Sequence, residues 1–228
     1  MKKYKIVFLM LALITNIFGQ IEKSKNVTDF LPSGYVIFGK LNGDLNKDGI
    51  LDYVLLIKGV DENKIIKDEY TGELKDQNQR GIIVLFNKND HYELALKNYE
   101  CFPLSEHEIN GVESISFEIK KNNLFINYTL GRAKYSKYNF RYQNSDFELI
   151  GYDQIDGGPS FSGKSSFVID NEKSINFLTN KKKQKTNVNK NAEGGLEVFK
   201  ETIKKIKIDK LIRLSEIKDF NLIDMDQF

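Results

Sequence analysis

Runs of alternating apolar residues, each about as long as one strand and each closed by an asparagine-centred turn, recur along this chain. They restrict it to sheet structure. Glu113 to Lys121 carries Ile115, Phe117 and Ile119 at alternate positions; Asn122-Asn123 follows and Leu124 to Leu130 returns. Lys137 to Tyr142 alternates through Tyr138, Phe140 and Tyr142; Asn144-Ser145 follows and Asp146 to Tyr152 returns. A period of two places one set of side chains on one face of a strand. Asparagine and serine favour the turns between them. The expectation is a mainly β protein: an antiparallel meander sheet forming a sandwich or a partly open barrel. Tyr35 to Leu41 and Tyr53 to Lys58 read as strands on their β-branched and aromatic content. Gly81 to Phe86 is unbroken apolar and reads as a central strand buried on both faces. Asn87 to Asp90 then turns the chain into a return strand over His91 to Lys97, and Ser174 to Thr179 and Lys185 to Val188 add further strands.

Two stretches break the pattern. Gly59 to Arg80 is polar and reads as a long surface loop. Ala192 to Lys207 places Leu196, Phe199, Ile203 and Ile206 at helical spacing, which predicts one amphipathic helix near the C-terminus. Within Ile208 to Phe228, Leu211, Ile212 and Leu214 fit a last strand followed by a short helical turn.

The first residues set the expected compartment. Met1 to Lys5 is basic, Ile6 to Ile14 is apolar, and a small residue, Gly19, closes the segment. This is the pattern of a secretory signal peptide over residues 1–19, too short for a lasting membrane span. It predicts a periplasmic or secreted protein, with residues 20–228 as a single β-rich domain and no stable membrane insertion after cleavage. Cys101 is the single cysteine, so no intrachain disulfide can form. A net charge of +2 gives no global basic field, and nucleic acid is not an expected partner.

The most specific chemistry lies between the strands at 35–41 and 53–58. Asp44, Asn46 and Asp48 present oxygen side chains at alternate positions, Gly49 permits a sharp turn, and Asp52 brings another carboxylate. Together with the backbone carbonyl of Ile50, these form an oxygen-only set suited to Ca²⁺. Zn²⁺ would call for His or Cys, and Mg²⁺ prefers waters in octahedral geometry. Leu51, between ligands, is expected to point into the core. An EF-hand is excluded, because its twelfth position needs a bidentate Glu and Leu55 stands there.

Gly43-Asp44, Asn46, Asp48-Gly49 and Asp52, after the strand over Val36 to Leu41, resemble the β-hairpin calcium loop of FG-GAP and VCBS-type repeats, also seen in integrin α-subunit propellers. The resemblance spans a single copy of about twenty residues. It implies a structural calcium that pins the hairpin at 35–58.

Candidates for catalysis carry less. His91 begins an expected strand, and His107 lies in Ser105-Glu106-His107-Glu108, where sequence neighbours do not assemble a triad. Cys101, between Tyr99 and Phe102, has the setting of a buried structural thiol. Gly158 to Ser165 has the glycine spacing of a phosphate-binding loop but no helix after it. The resulting expectation is an exported, calcium-stabilised binding or interaction protein without catalytic activity, whose partner is a protein or glycan of the cell envelope. Its rivals are a hydrolase of envelope or extracellular polymer and a secreted inhibitor or immunity-type protein.

Overall fold

A computed structural model describes residues 21–102, 114–130, 134–159, 167–189 and 191–228. The segment expected to be a signal peptide, His107 and most of the Gly158–Ser165 stretch lie outside the described residues. A five-stranded sheet contains β1 (Lys23–Ser24), β2 (Tyr35–Gly43), β3 (Asp52–Gly59), β6 (Arg80–Asn87) and β7 (Tyr92–Phe102) in the order β1-β7-β6-β3-β2. Between β3 and β6, β4 (Ile65–Lys67) and β5 (Leu74–Asp76) form a small ribbon inside the stretch expected to be a loop. A seven-stranded sheet follows in chain order: β8 (Ser114–Lys120), β9 (Asn123–Leu130), β10 (Lys134–Gln143), β11 (Asp146–Pro159), β12 (Phe167–Asn176), β13 (Lys181–Asn187) and β14 (Phe199–Lys205). Every pairing is antiparallel, and the seven-stranded sheet is an uninterrupted meander.

The asparagine turns do what their residue types allow. Lys121 and Asn122 have φ of 51° and 59°, and Asn144 and Ser145 have 52° and 59°. Two successive left-handed residues twist a tight hairpin in the sense its strands require.

The two sheets pack face to face around one core. Val54, Leu56, Ile82 and Val84 of the smaller sheet meet Leu124, Ile126, Phe140 and Leu149 of the larger. Phe86 and Tyr142 cross this interface edge to face at 4.7 Å, as do Phe102 and Phe117 at 5.5 Å. Gly43 lets the layers approach closely: a Cβ there would lie 2.5 Å from Ile119 Cγ2. The smaller sheet is buried on its other face too. Leu55, Ile57, Ile83 and Leu85 pack under Phe30, which comes from the 3-10 turn Val27–Phe30. The central strand expected at 81–86 is therefore covered on both sides, each such aliphatic contributing roughly 1.5–3 kcal/mol of transfer free energy.

Of the two arrangements expected, the sheets take the stacked one, and neither closes into a barrel. One expectation is corrected. No α-helix is present among the described residues, and the segment expected to be helical instead supplies β14, paired with β13 from Lys181↔Lys205 to Asn187↔Phe199. The helical spacing misled because it promised one buried face. Leu196 and Ile203 are 64% and 62% exposed, so that face has nothing to cover it. Gly195 has φ of +87°, outside any helix, while β13 offered an open edge of backbone donors and acceptors.

The remaining chain, 206–228, runs over the inner face of the larger sheet where the smaller one does not reach. Leu149 N–H donates to Ile212 O at 2.8 Å, and Asn98 Nδ2 donates to the carbonyls of Leu214 and Ile217, both at 2.7 Å. Phe220 is buried against Phe102, Tyr138 and Phe140.

Candidate metal centre

Gly43 and Asp52 pair across the end of the β2–β3 hairpin, so the loop between them is held at both ends by sheet hydrogen bonds. Within it, side-chain oxygens fold back onto backbone N–H groups. Asp44 Oδ1 accepts from Lys47 N at 2.6 Å, and its Oδ2 accepts from Gly49 N at 3.2 Å. Asn46 Oδ1 accepts from Asp48 N at 2.9 Å, and Asp48 Oδ1 from Ile50 N at 3.0 Å. These are successive Asx turns, the local competitor to regular structure that Asp and Asn provide. Lys47 and Gly49 take positive φ, 69° and 82°, and curl the chain; a β-branched residue at 49 would be strained there.

Asp52 differs from the other three. It is fully buried, and its oxygens tie the loop to the fold: Oδ2 accepts from Leu45 N at 2.8 Å and Asn46 N at 3.3 Å, and Oδ1 from Asn87 N at 3.1 Å. Burial pushes its carboxyl above the usual value, and the three backbone donors oppose that shift. Leu45, not Leu51, is the hydrophobic anchor. Leu45 is 1% exposed and belongs to the inter-sheet core, whereas Leu51 is 52% exposed.

Three residues distant in sequence complete the site. Lys88, from the β6–β7 turn, places Nζ 2.8 Å from Asp48 Oδ2 and holds that carboxyl below its usual range. Asn87 Nδ2 donates to Leu51 O at 3.2 Å, and Asn122 Nδ2 donates to Asp44 O at 2.8 Å. Asn87-Lys88 and Asn122 are legible in the sequence as turns, but nothing in their spacing points to the loop.

A hard cation fits part of this arrangement. Asp44, Asn46 and Asp48 are oxygen donors on one curled segment, with the Ile50 carbonyl following; this is the chemistry Ca²⁺ takes. Asp52 reaches an ion only through the remaining lone pair of Oδ1, or by releasing a backbone N–H. Asp44, Asp48 and Asp52 are not gathered to a single point: among the described residues, no three His, Cys, Asp or Glu side chains are grouped to hold a metal ion. Among the described residues, the cation paired with a carboxylate of the loop is the Lys88 ammonium, on Asp48.

The other singled-out groups have structural settings. Cys101 is fully buried, and burial pushes its thiol far up, which removes the thiolate needed for nucleophilic work. His91 lies between Asp90, 2.7 Å from Nδ1, and Glu93, 3.3 Å from Nε2. No helix among the described residues is long and apolar enough to cross a membrane. No family model matches the chain, and neither a curated protein nor a solved structure matches it.

Proposed function

We propose that this is an exported binding protein, without catalysis of its own, whose β2–β3 corner is stabilised by calcium and whose partner is a protein or glycan of the cell envelope. The observation that carries the calcium reading is the Asp44–Ile50 loop. Two carboxylates, one amide oxygen and a carbonyl follow one another on a single curl, and Lys88 neutralises one of the carboxylates from outside. Bound calcium would be held by Asp44, Asn46, Asp48 and the Ile50 carbonyl, with Asp52 fixing the loop base and offering one further oxygen. Its charge would replace that of Lys88 at Asp48. The chain has no disulfide available, so an ion that binds only the folded state supplies stability outside the cytoplasm by another route.

Thermal unfolding of residues 20–228 with calcium and with a chelator tests this reading. Extracellular calcium modules bind at roughly 10⁻⁴–10⁻³ M. Calcium at ten to a hundred times Kd then adds about 1.4–2.7 kcal/mol, a clear rise in Tm. Asp48→Ala is expected to abolish the rise while the far-UV circular dichroism stays that of a β protein. An unchanged Tm at millimolar calcium overturns the calcium reading.

A further inference from the structure

We propose that a cavity at the inner face of the seven-stranded sheet binds a neutral saccharide. The inference rests on the reading of the chain as a binding protein and gives that reading a ligand class.

The register defines the surface. Tyr128 pairs with Ser136, Ser136 with Gln154, and Gln154 with Lys173, so these four form one row across β9 to β12. The next row on the same face is Ile126, Tyr138, Tyr152 and Ile175. Towards the middle of the sandwich this face is apolar, as an inter-sheet face should be. The Tyr128 row is polar throughout, yet its members are only 4–9% exposed. Buried polar side chains need a reason. Here Tyr128, Ser136 and Gln154 of this row, with Tyr138 and Tyr152 of its neighbour, line a cavity of about 390 Å³, roofed by residues 220–226. That volume lies within the ~300–1,000 Å³ of small-molecule sites.

The lining selects the ligand by chemistry. Its deep wall carries hydroxyl and amide groups: Ser136 Oγ lies 3.1 Å from Tyr152 Oη, which donates to Gln154 Oε1 at 2.6 Å. The Tyr138 ring lies beside these groups, and apolar surface faces them from Phe220, Ile223 and Met225. Charge is present as Lys134, Asp224 and Asp226, of mixed sign, and Asp226 is paired with Lys173. With Asp226 taken up by Lys173, Lys134 and Asp224 balance, so the lining favours neither an anion nor a cation. A wholly apolar ligand strips water from Ser136, Tyr152 and Gln154 and gives nothing back. A pyranose matches: it has a C–H face for rings and hydroxyls around its rim that both donate and accept.

Saturation-transfer NMR on residues 20–228 tests the site. The probes are glucose, galactose, N-acetylglucosamine and their β-linked disaccharides at millimolar concentration, with free amino acids as zwitterionic controls. At least one saccharide is expected to receive saturation and to perturb the Tyr138 and Tyr152 ring resonances. Gln154→Ala is expected to weaken binding about five-fold, the worth of one hydrogen bond. Ser136→Leu, which fills the cavity, is expected to abolish it. Tyr ring perturbations in the unaltered protein keep the test decisive if that variant does not fold. The inference is overturned if no saccharide binds, if only amino acids bind, or if binding survives in a folded Ser136→Leu protein. Asp48→Ala is expected to leave saccharide binding intact, so loss of the calcium response and loss of the ligand are separate results.

Discussion

The β2–β3 corner and the cavity under residues 220–226 are built on opposite plans. At the corner, six of the nine loop residues from Asp44 to Asp52 bond to one another across two to five residues, and the loop's shape is written by these Asx turns between neighbours. At the cavity, every wall comes from a different strand, and the roof arrives from the far end of the chain. The corner is a local structure that the fold merely holds. The cavity is a product of tertiary packing and has no local counterpart. Substitutions should therefore behave differently at the two places: local and modest at the corner, global at the cavity roof.

The largest expected effect is at the roof. Phe220 is 2% exposed and packs on Phe102 with rings 5.6 Å apart and on Tyr138 with rings 4.9 Å apart. Phe220→Ala should cost about 3–5 kcal/mol, the usual range for truncating a buried aromatic. The midpoint of urea unfolding measures it. A cost near zero would mean that residues 206–228 are not part of the cooperative fold, and the cavity would lose its roof. The corner's largest effect should be smaller. Asp52→Ala removes the acceptor of three backbone N–H groups, at about 1–3 kcal/mol, because water can reach part of the loop. If Asp52→Ala exceeded Phe220→Ala, the corner would be the keystone and the comparison would be reversed.

Alkaline titration separates the two regions further. Burial, then the neighbouring Tyr152 and Tyr128, pushes the Tyr138 hydroxyl well above its ordinary 10.0. A folded-state pKa that is raised leaves the folded protein holding a proton that the unfolded chain releases. Stability is then full below pH 10 and falls as pH rises beyond it, by up to about 1.4 kcal/mol per pH unit for each such group. Tyr138→Phe should flatten this fall, as read from urea midpoints between pH 9 and 11. Asp48→Ala at the corner should leave the Tyr138 contribution to this fall unchanged. An unaltered alkaline slope in Tyr138→Phe would show that this hydroxyl is not shielded.

How much could be read in the sequence follows the same division. The hairpins of the larger sheet are legible because each strand alternates and each turn carries residues that tolerate positive φ, as at Asn122 and Asn144. The Asx-rich loop over Asp44 to Asp52 is legible because its oxygens sit at fixed spacings on one segment. Lys88 is not, since its contact with Asp48 spans forty residues and depends on the β3–β6 register. Leu45 takes the core position expected of Leu51 because a curling loop does not keep the alternation of a strand. The mistaken helix has the same origin: spacing at Leu196, Phe199 and Ile203 describes a face, but burial of that face depends on a neighbour the sequence does not name. The polar row of Tyr128, Ser136, Gln154 and Lys173 exists only through pairing between strands, so no single segment announces it.

Lys88 supplies the smallest and sharpest test. Its pair with Asp48 is about one-third exposed on both sides, a setting in which ion pairs contribute roughly 0–1 kcal/mol. Lys88→Met should therefore change the stability of the calcium-free protein by less than about 1 kcal/mol. Its effect on calcium should be of the opposite sign. The ammonium lies on the carboxylate that an incoming ion needs, and its charge is further drawn in by Glu93 and Asp52. Removing it leaves the loop's carboxylates unneutralised and takes away a competing cation. Calcium should then bind more tightly and raise Tm further in Lys88→Met than in the unaltered protein, by isothermal titration and thermal melting respectively. If both proteins respond equally, the ion does not touch Asp48 and the ligand set must be redrawn around Asp44. If the variant loses its calcium response, Lys88 is holding the loop in the shape that binds, and the corner depends on distant residues as much as the cavity does.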